Sequence, residues 1–329
     1  MKNTIIKILK IGIPIGIGVY LTWYFYSGLT QIQKDDIPKA FAEANYFWIF
    51  FSLCIAWMSH FSRAYRWKFM LEPLGYKPNV WSLYHSVMIG YIINFTVPRA
   101  GEFARAGFLS KKENLPFDKT FGTIVAERVI DLVMLGFVTL ITFYLVGKDQ
   151  LYALMNNPDN VEKTPWLLYT IIIIGVLGII ALLVSKKLRV FIISKITGVL
   201  DGIKAVLKLK KRGYFIVHTL IIWICYVAMF WVFGFSMESI QVLDAKTLFA
   251  CFFVGSAAIA ITPGGIGLFP IFVAAAMSKI GGYEDASSFA IMLWVVQTIF
   301  LVSFGLFSLF KINVKFSVDE INTNSEEEV

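Results

Sequence analysis

The sequence predicts an all-α polytopic membrane protein, with about six full transmembrane helices plus two Pro/Gly-bent re-entrant helical hairpins in an inverted repeat. Three observations predict it. Hydrophobic residues fill 57% of the 329 positions and charged residues only 16%, against roughly a quarter in a soluble domain. Apolar runs of bilayer length recur along the whole chain. Lys and Arg sort onto one face of a membrane only if two short runs fold back. A soluble globular class is excluded, because a chain of this length has no interior large enough for so much apolar surface.

The apolar runs are 8–26, 46–62, 81–97, 121–146, 166–184, 214–235, 247–262, 265–278 and 286–310. The first carries Tyr24, Phe25 and Tyr26 where a secretory signal needs small residues, so it is expected to stay as a helix. The second runs on into residues 63–74, a basic stretch expected at the cytoplasmic interface with Arg63, Arg66 and Trp67. The runs 81–97 and 247–262 are short for a span. Each leads into a Pro with Gly close behind it, at Pro98 and Gly101 and at Pro263, Gly264, Gly265 and Gly267. Short interrupted runs in corresponding halves suggest re-entrant helices.

Charge tests that idea. If every run before 263 crosses fully, the most basic loop, 185–213 with nine Lys and Arg, falls outside, against the positive-inside rule. If the two short runs return to the side they entered, 23 of the 30 Lys and Arg face the cytoplasm. Both termini are then cytoplasmic, and the two hairpins enter from opposite sides. Residues 1–312 are expected to form one transmembrane domain. Residues 313–329, which end in three consecutive Glu, are expected to form an acidic, disordered tail. Residues 195–212 place apolar side chains at helical spacing with Lys off that stripe, as an interfacial helix does.

The net charge of +8 points to anionic lipid rather than nucleic acid, since no polar stretch is long enough to form a basic domain. Cys54, Cys225 and Cys251 lie singly within apolar runs, and His60, His85 and His218 have no ligand spacing. No disulfide framework, metal or cofactor is therefore expected.

The informative residues are Glu127, Arg128 and Asp131 in an otherwise apolar helix. Glu127 and Asp131 are four apart and share a face. A charge at that depth costs on the order of 3 kcal/mol, so these groups face protein or water. They either form a self-contained ion-pair cluster that fixes packing or belong to a polar site at the hairpin tips. Arg99, Glu102 and Arg105 join that site from the first hairpin. Arginine suits phosphate recognition, and opened helix ends at Pro98 and Pro263 would add backbone N–H groups. Asn94, one turn before Pro98, is expected to satisfy freed backbone. Pro98, Gly101, Pro263, Gly264, Gly265 and Gly267 would shape the hairpins. The ligand these residues suit is a phosphate-bearing or charged lipid headgroup.

Four motifs in order resemble a known family: Arg63-Ala64-Tyr65-Arg66-Trp67, Pro98-Arg99-Ala100-Gly101-Glu102, Glu127-Arg128-Val129-Ile130-Asp131 and Pro263-Gly264-Gly265-Ile266-Gly267. The chain resembles the lysylphosphatidylglycerol synthase transmembrane-domain family, also called flippase-like or UPF0104, over about residues 5–312. The resemblance implies a plasma-membrane protein that moves a lipid between leaflets. Family members that synthesise aminoacyl lipids carry a soluble transferase domain. Only 19 residues follow Phe310 here, so that synthesis is not expected of this polypeptide. Pro270 stands where many relatives have Glu, so an acidic role in the second hairpin is not expected either.

The function expected is that of a lipid translocase without its own ATPase, acting on a phospholipid or polyprenyl-phosphate-linked lipid. The alternatives are a polytopic transferase with Glu127 or Asp131 as base, and a non-catalytic component that holds a partner synthase.

Overall fold

The computed structural model describes residues 26–97, 100–155 and 206–312, with Tyr20, residues 22–24 and Ile203 besides. The run 166–184, the hairpin residues Pro98 and Arg99, residues 195–202, 204 and 205 of the basic stretch 195–212, most of the first run and the acidic tail lie outside the described residues.

Nine α-helices are described: α1 (Gln31–Glu43), α2 (Tyr46–Leu71), α3 (Val80–Thr96), α4 (Gly101–Glu113), α5 (Phe117–Met155), α6 (Arg212–Gly234), α7 (Ala245–Ile261), α8 (Leu268–Ala276) and α9 (Ala286–Ile312). No strand occurs among the described residues. Among the described residues, three segments are long and apolar enough to cross a membrane alone: Phe117–Gly147, Arg212–Gly234 and Ala286–Lys311. The bend of 83° between α1 and α2 makes that pair a fourth candidate. α5 is broken at Gly147, which has φ 72°.

Local chemistry sets the helix ends. Asn45, Asn79 and Asp244 cap α2, α3 and α7, each accepting from a backbone N–H in the first turn. α3 and α7 are both 17 residues long and stop alike, on the extended residues Val97 (φ −125°) and Thr262 (φ −114°). A proline follows each, and its ring disfavours helical backbone at the residue before it. Proline therefore ends both short helices where the sequence placed their breaks.

Packing joins the two halves of the chain. The most extensive helix pair is α2 with α6; α3 packs on α9, and α7 on α5. Small residues Ser52, Ala56 and Ser59 on α2 are fully buried, which lets helices approach closely. The Ser52 hydroxyl donates to the Met229 carbonyl at 2.7 Å, and the Ser62 hydroxyl bonds His218 Nδ1 at 2.8 Å. His85 Nδ1 lies 3.0 Å from the Ser308 hydroxyl. Cys54, Cys225 and Cys251 are free thiols.

The first hairpin depends on a close approach at Gly101. Its N–H donates to Asn94 Oδ1 at 2.8 Å, and a β-carbon on Gly101 would collide with the Gly90 carbonyl and the Asn94 amide. We expect Gly101→Ala to lower stability by ~1–3 kcal/mol through overpacking. Gly107→Ala is the control, since nothing lies near its β-position. Thermal unfolding in detergent measures both.

The second hairpin folds as a 3-10 turn at Pro263–Gly265, followed by α8. Its tip meets the first: a β-carbon on Gly264 (φ +58°) would collide with the Phe95 ring. The Gly264 carbonyl accepts from Trp294 Nε1 at 3.0 Å. Gly264 is thus fixed twice, by left-handed backbone and by the aromatic ring over it.

Candidate functional site

Three helices bring charge into the interior. α2 passes its C-terminal half behind α5, and α4 crosses beside both. Glu127 and Asp131 lie one turn apart on α5, about 15 Å and about 21 Å from Phe117 along the axis. Arg63 and Arg66 lie three apart on α2, and Arg105 sits on the buried stripe of α4 with Gly101, Ala106 and Leu109.

Burial here is nearly complete. Arg63 is 4% exposed, Arg66 0%, Arg105 3%, Glu127 0% and Asp131 8%. Arg66 bridges both carboxylates, with Nη2 at 2.8 Å from Asp131 Oδ1 and Nε at 3.5 Å from Glu127 Oε1. Arg105 Nη1 lies 2.8 Å from Glu127 Oε2. Arg63 Nη1 donates to Asp131 Oδ2 at 3.1 Å, and its Nη2 donates to the Tyr226 hydroxyl at 3.0 Å. Arg66 Nη1 donates to the Thr219 hydroxyl at 3.3 Å.

Aromatic faces complete the setting. The Arg105 guanidinium stacks 3.8 Å from the Trp67 ring centre, a cation–π contact strengthened by exclusion of water. Trp67 is itself fully buried, and its Nε1 donates to the Thr123 hydroxyl at 2.8 Å. The Phe215 ring lies 5.4 Å from the Arg66 guanidinium.

With all five groups ionised, three arginines face two carboxylates, so among the described residues the buried cluster holds one net positive charge. Arg105 Nε and Nη2 are buried and make no hydrogen bond among the described residues. Arg128 and Glu102 form the rim: Nε to Oε1 is 3.3 Å, and their side chains are 43% and 25% exposed. Arg128 Nη1 also lies 3.5 Å from Asp131 Oδ2. The arrangement can hold an anion, because it offers surplus positive charge and unused N–H donors away from water.

The sequence placed Glu102, Arg105, Glu127, Arg128 and Asp131 in one site, and the structure brings them together. Arg63, Arg66 and Trp67, expected at the cytoplasmic interface, are buried within the protein, with α6 packed on α2. Arg128, expected to be the intramembrane cation, lies at the exposed edge of the cluster within the candidate span Phe117–Gly147.

The second hairpin contributes differently too. Gly264 packs the tip against Phe95 and Trp294, and Gly265 lies against Phe269 and Ile259. The Gly265 and Ile266 N–H groups bond Thr262 and Pro263 carbonyls within the turn, and the Gly101 N–H is taken by Asn94. These N–H groups therefore do not serve an anion, as the opened helix ends were expected to. Sequence reasoning missed Tyr91, Thr219 and Tyr226, which are polar groups on apolar helices. No group of three His, Cys, Asp or Glu suited to a metal occurs among the described residues.

Membrane-length helices packed around buried arginine–carboxylate pairs define a multi-pass, all-helical integral membrane protein. The chain belongs to the family described as the lysylphosphatidylglycerol synthase TM region, which matches residues 10–305. A UPF0104 membrane protein of Methanocaldococcus jannaschii is 32% identical over 115 residues, 34% of this chain and 34% of its own. The glycosyltransferase AglD of Haloferax volcanii is 22% identical over 293 residues, 77% of this chain and 47% of its own. The chain thus spans less than half the length of either curated relative. No solved structure matches the chain.

Proposed function

We propose that the protein is a membrane lipid translocase that binds the phosphate of a lipid headgroup at Arg63, Arg66 and Arg105, with Arg128 and Glu102 at the entrance. One observation carries this reading: among the described residues the buried cluster has one more positive charge than negative, and Arg105 Nε and Nη2 are buried there without hydrogen bonds. Uncompensated buried charge is costly, and a phosphate supplies the missing anion. The lipid is a phospholipid or a polyprenyl-phosphate-linked lipid. A partner synthase or transferase would supply it.

The crossed packing supports an inverted repeat. Each short helix lies against the last long helix of the other half, α3 on α9 and α7 on α5, with α2 and α6 paired between them. In this reading six crossings and two re-entrant hairpins sit in the plasma membrane with both termini cytoplasmic, and rocking of the halves exposes the site to each leaflet in turn.

The similarity to a protein named as a glycosyltransferase favours a second reading, a polytopic transferase with Glu127 or Asp131 as base. Both carboxylates already face two or three guanidinium groups, so each is engaged by ion pairs rather than open to a substrate hydroxyl, which weakens that reading.

Arg105→Gln tests the first. It brings the buried cluster to neutrality while keeping an N–H for Glu127. In proteoliposomes of phosphatidylglycerol, translocation between leaflets is expected to fall at least roughly tenfold, the worth of about one charged hydrogen bond, in protein that still unfolds cooperatively. Translocation at the wild-type rate would sink the assignment.

A further inference from the structure

One helical turn from the arginine cluster lies a second group of buried polar atoms with no role so far. His60, on α2, is 6% exposed, and its Nδ1 makes no hydrogen bond. Arg63 follows three residues later. Its two terminal nitrogens hold Asp131 and Tyr226, but its Nε is buried and unpartnered. Tyr91, on α3, brings its ring centre to 4.8 Å from that of His60, and its hydroxyl is also buried without a partner. The Tyr226 ring centre lies 6.4 Å from His60, and the Phe300 ring closes the far side at 6.1 Å. Three hydrogen-bonding groups on two packed helices, within one helical turn and one ring contact of each other, thus lie buried without a hydrogen bond beside the Tyr226 hydroxyl. Such groups are normally satisfied.

We propose that His60, Tyr91 and Arg63 Nε form a second subsite, which accepts an ester carbonyl oxygen of the lipid whose phosphate sits on the arginines. The inference rests on the headgroup reading above and adds to it a part of the lipid. The chemistry of the groups selects the ligand. Arg63 Nε–H and the Tyr91 hydroxyl are donors, and His60 donates in its Nδ1–H tautomer, so the ligand is an acceptor. The charge of Arg63 is already shared between Asp131 at 3.1 Å and, in the headgroup reading, the phosphate, so the acceptor at this subsite is neutral rather than a further anion. Position agrees. His60 lies three residues from Arg63, about 4.5 Å along the helix, toward the apolar middle of α2. In a diacyl glycerophospholipid the glycerol carbons set the ester carbonyls back from the phosphate by a similar distance, toward the acyl chains. Tyr91 and Tyr226 are half-buried, so the subsite borders on accessible space among the described residues.

The test uses the full chain in nanodiscs and two probes with the same headgroup, diacyl phosphatidylglycerol and its di-O-alkyl ether analogue, which lacks the carbonyls. Wild-type protein is expected to bind the ester lipid roughly tenfold more tightly than the ether lipid. Tyr91→Phe, which keeps the ring, and His60→Leu are each expected to bring that ratio close to one while ether-lipid binding stays unchanged. Equal wild-type affinity for the two lipids overturns the proposal, as does an unchanged ratio in Tyr91→Phe, since the groups then hold only water. Arg105→Gln separates the two readings. If it leaves binding of both lipids intact, the headgroup assignment fails; if it weakens both while the ester preference is absent, only the carbonyl subsite fails.

Discussion

Glu127→Gln is expected to destabilise the protein by ~3–5 kcal/mol, the cost of removing one partner from a buried ion pair. Glu127 is fully buried and faces Arg66 at 3.5 Å and Arg105 at 2.8 Å. Gln keeps its shape but not its charge, so the interior changes from one net positive charge to two. The loss should appear as a lowered unfolding midpoint in detergent and as reduced steady-state abundance in cells. A second substitution identifies the cause. In Glu127→Gln/Arg105→Gln the buried net charge returns to one, and most of the lost stability is expected to return. Additive losses in the double variant would show that packing, rather than charge balance, sets the cost.

Arg66→Leu and Arg128→Leu are expected to differ sharply, although both remove an arginine that contacts Asp131. Arg66 is fully buried and spans two carboxylates from a single planar group. Its loss leaves Glu127 and Asp131 each one cation short in a dry interior, and a destabilisation of ~3–5 kcal/mol is expected. Arg66→Lys should recover little of it, since one ammonium cannot reproduce a guanidinium that meets two carboxylates through separate nitrogens. Arg128 is 43% exposed, and its contacts are 3.3 Å and 3.5 Å. Its removal should cost no more than about 1 kcal/mol. Unfolding midpoints of the three variants, read beside the wild type, measure the difference. If Arg128→Leu is the more damaging, the cluster is centred wrongly.

These contrasts could not be ranked from the sequence. The distinctive cation there is Arg128, because it lies between two carboxylates in an apolar helix. Helical spacing shows why that ranking reverses. Glu127 and Asp131 are four apart and share a face, whereas Arg128 is turned about 100° from Glu127 and falls at the edge of that face. Arg63 and Arg66, three apart, share a face of their own on α2, but they looked interfacial because they sit where an apolar run turns basic. His60 carried no signal beyond a lone imidazole in an apolar run.

The sequence by itself determined what depends on local chemistry and on the solvent. Its apolar runs required membrane helices. Pro263, and the extended residue just ahead of Pro98, set where the short helices stop, and the spacing of Glu127 and Asp131 put two carboxylates on one face. Only the tertiary structure decided which helices meet that face. Arg63 and Arg66 from α2 and Arg105 from α4 close on the carboxylates, while Trp67 stacks on Arg105 and Phe95 rests on Gly264. The physical reason is that helix periodicity fixes the neighbours within one helix. Which other helix lies against it depends on side-chain packing between segments far apart in the chain, and no periodicity records that.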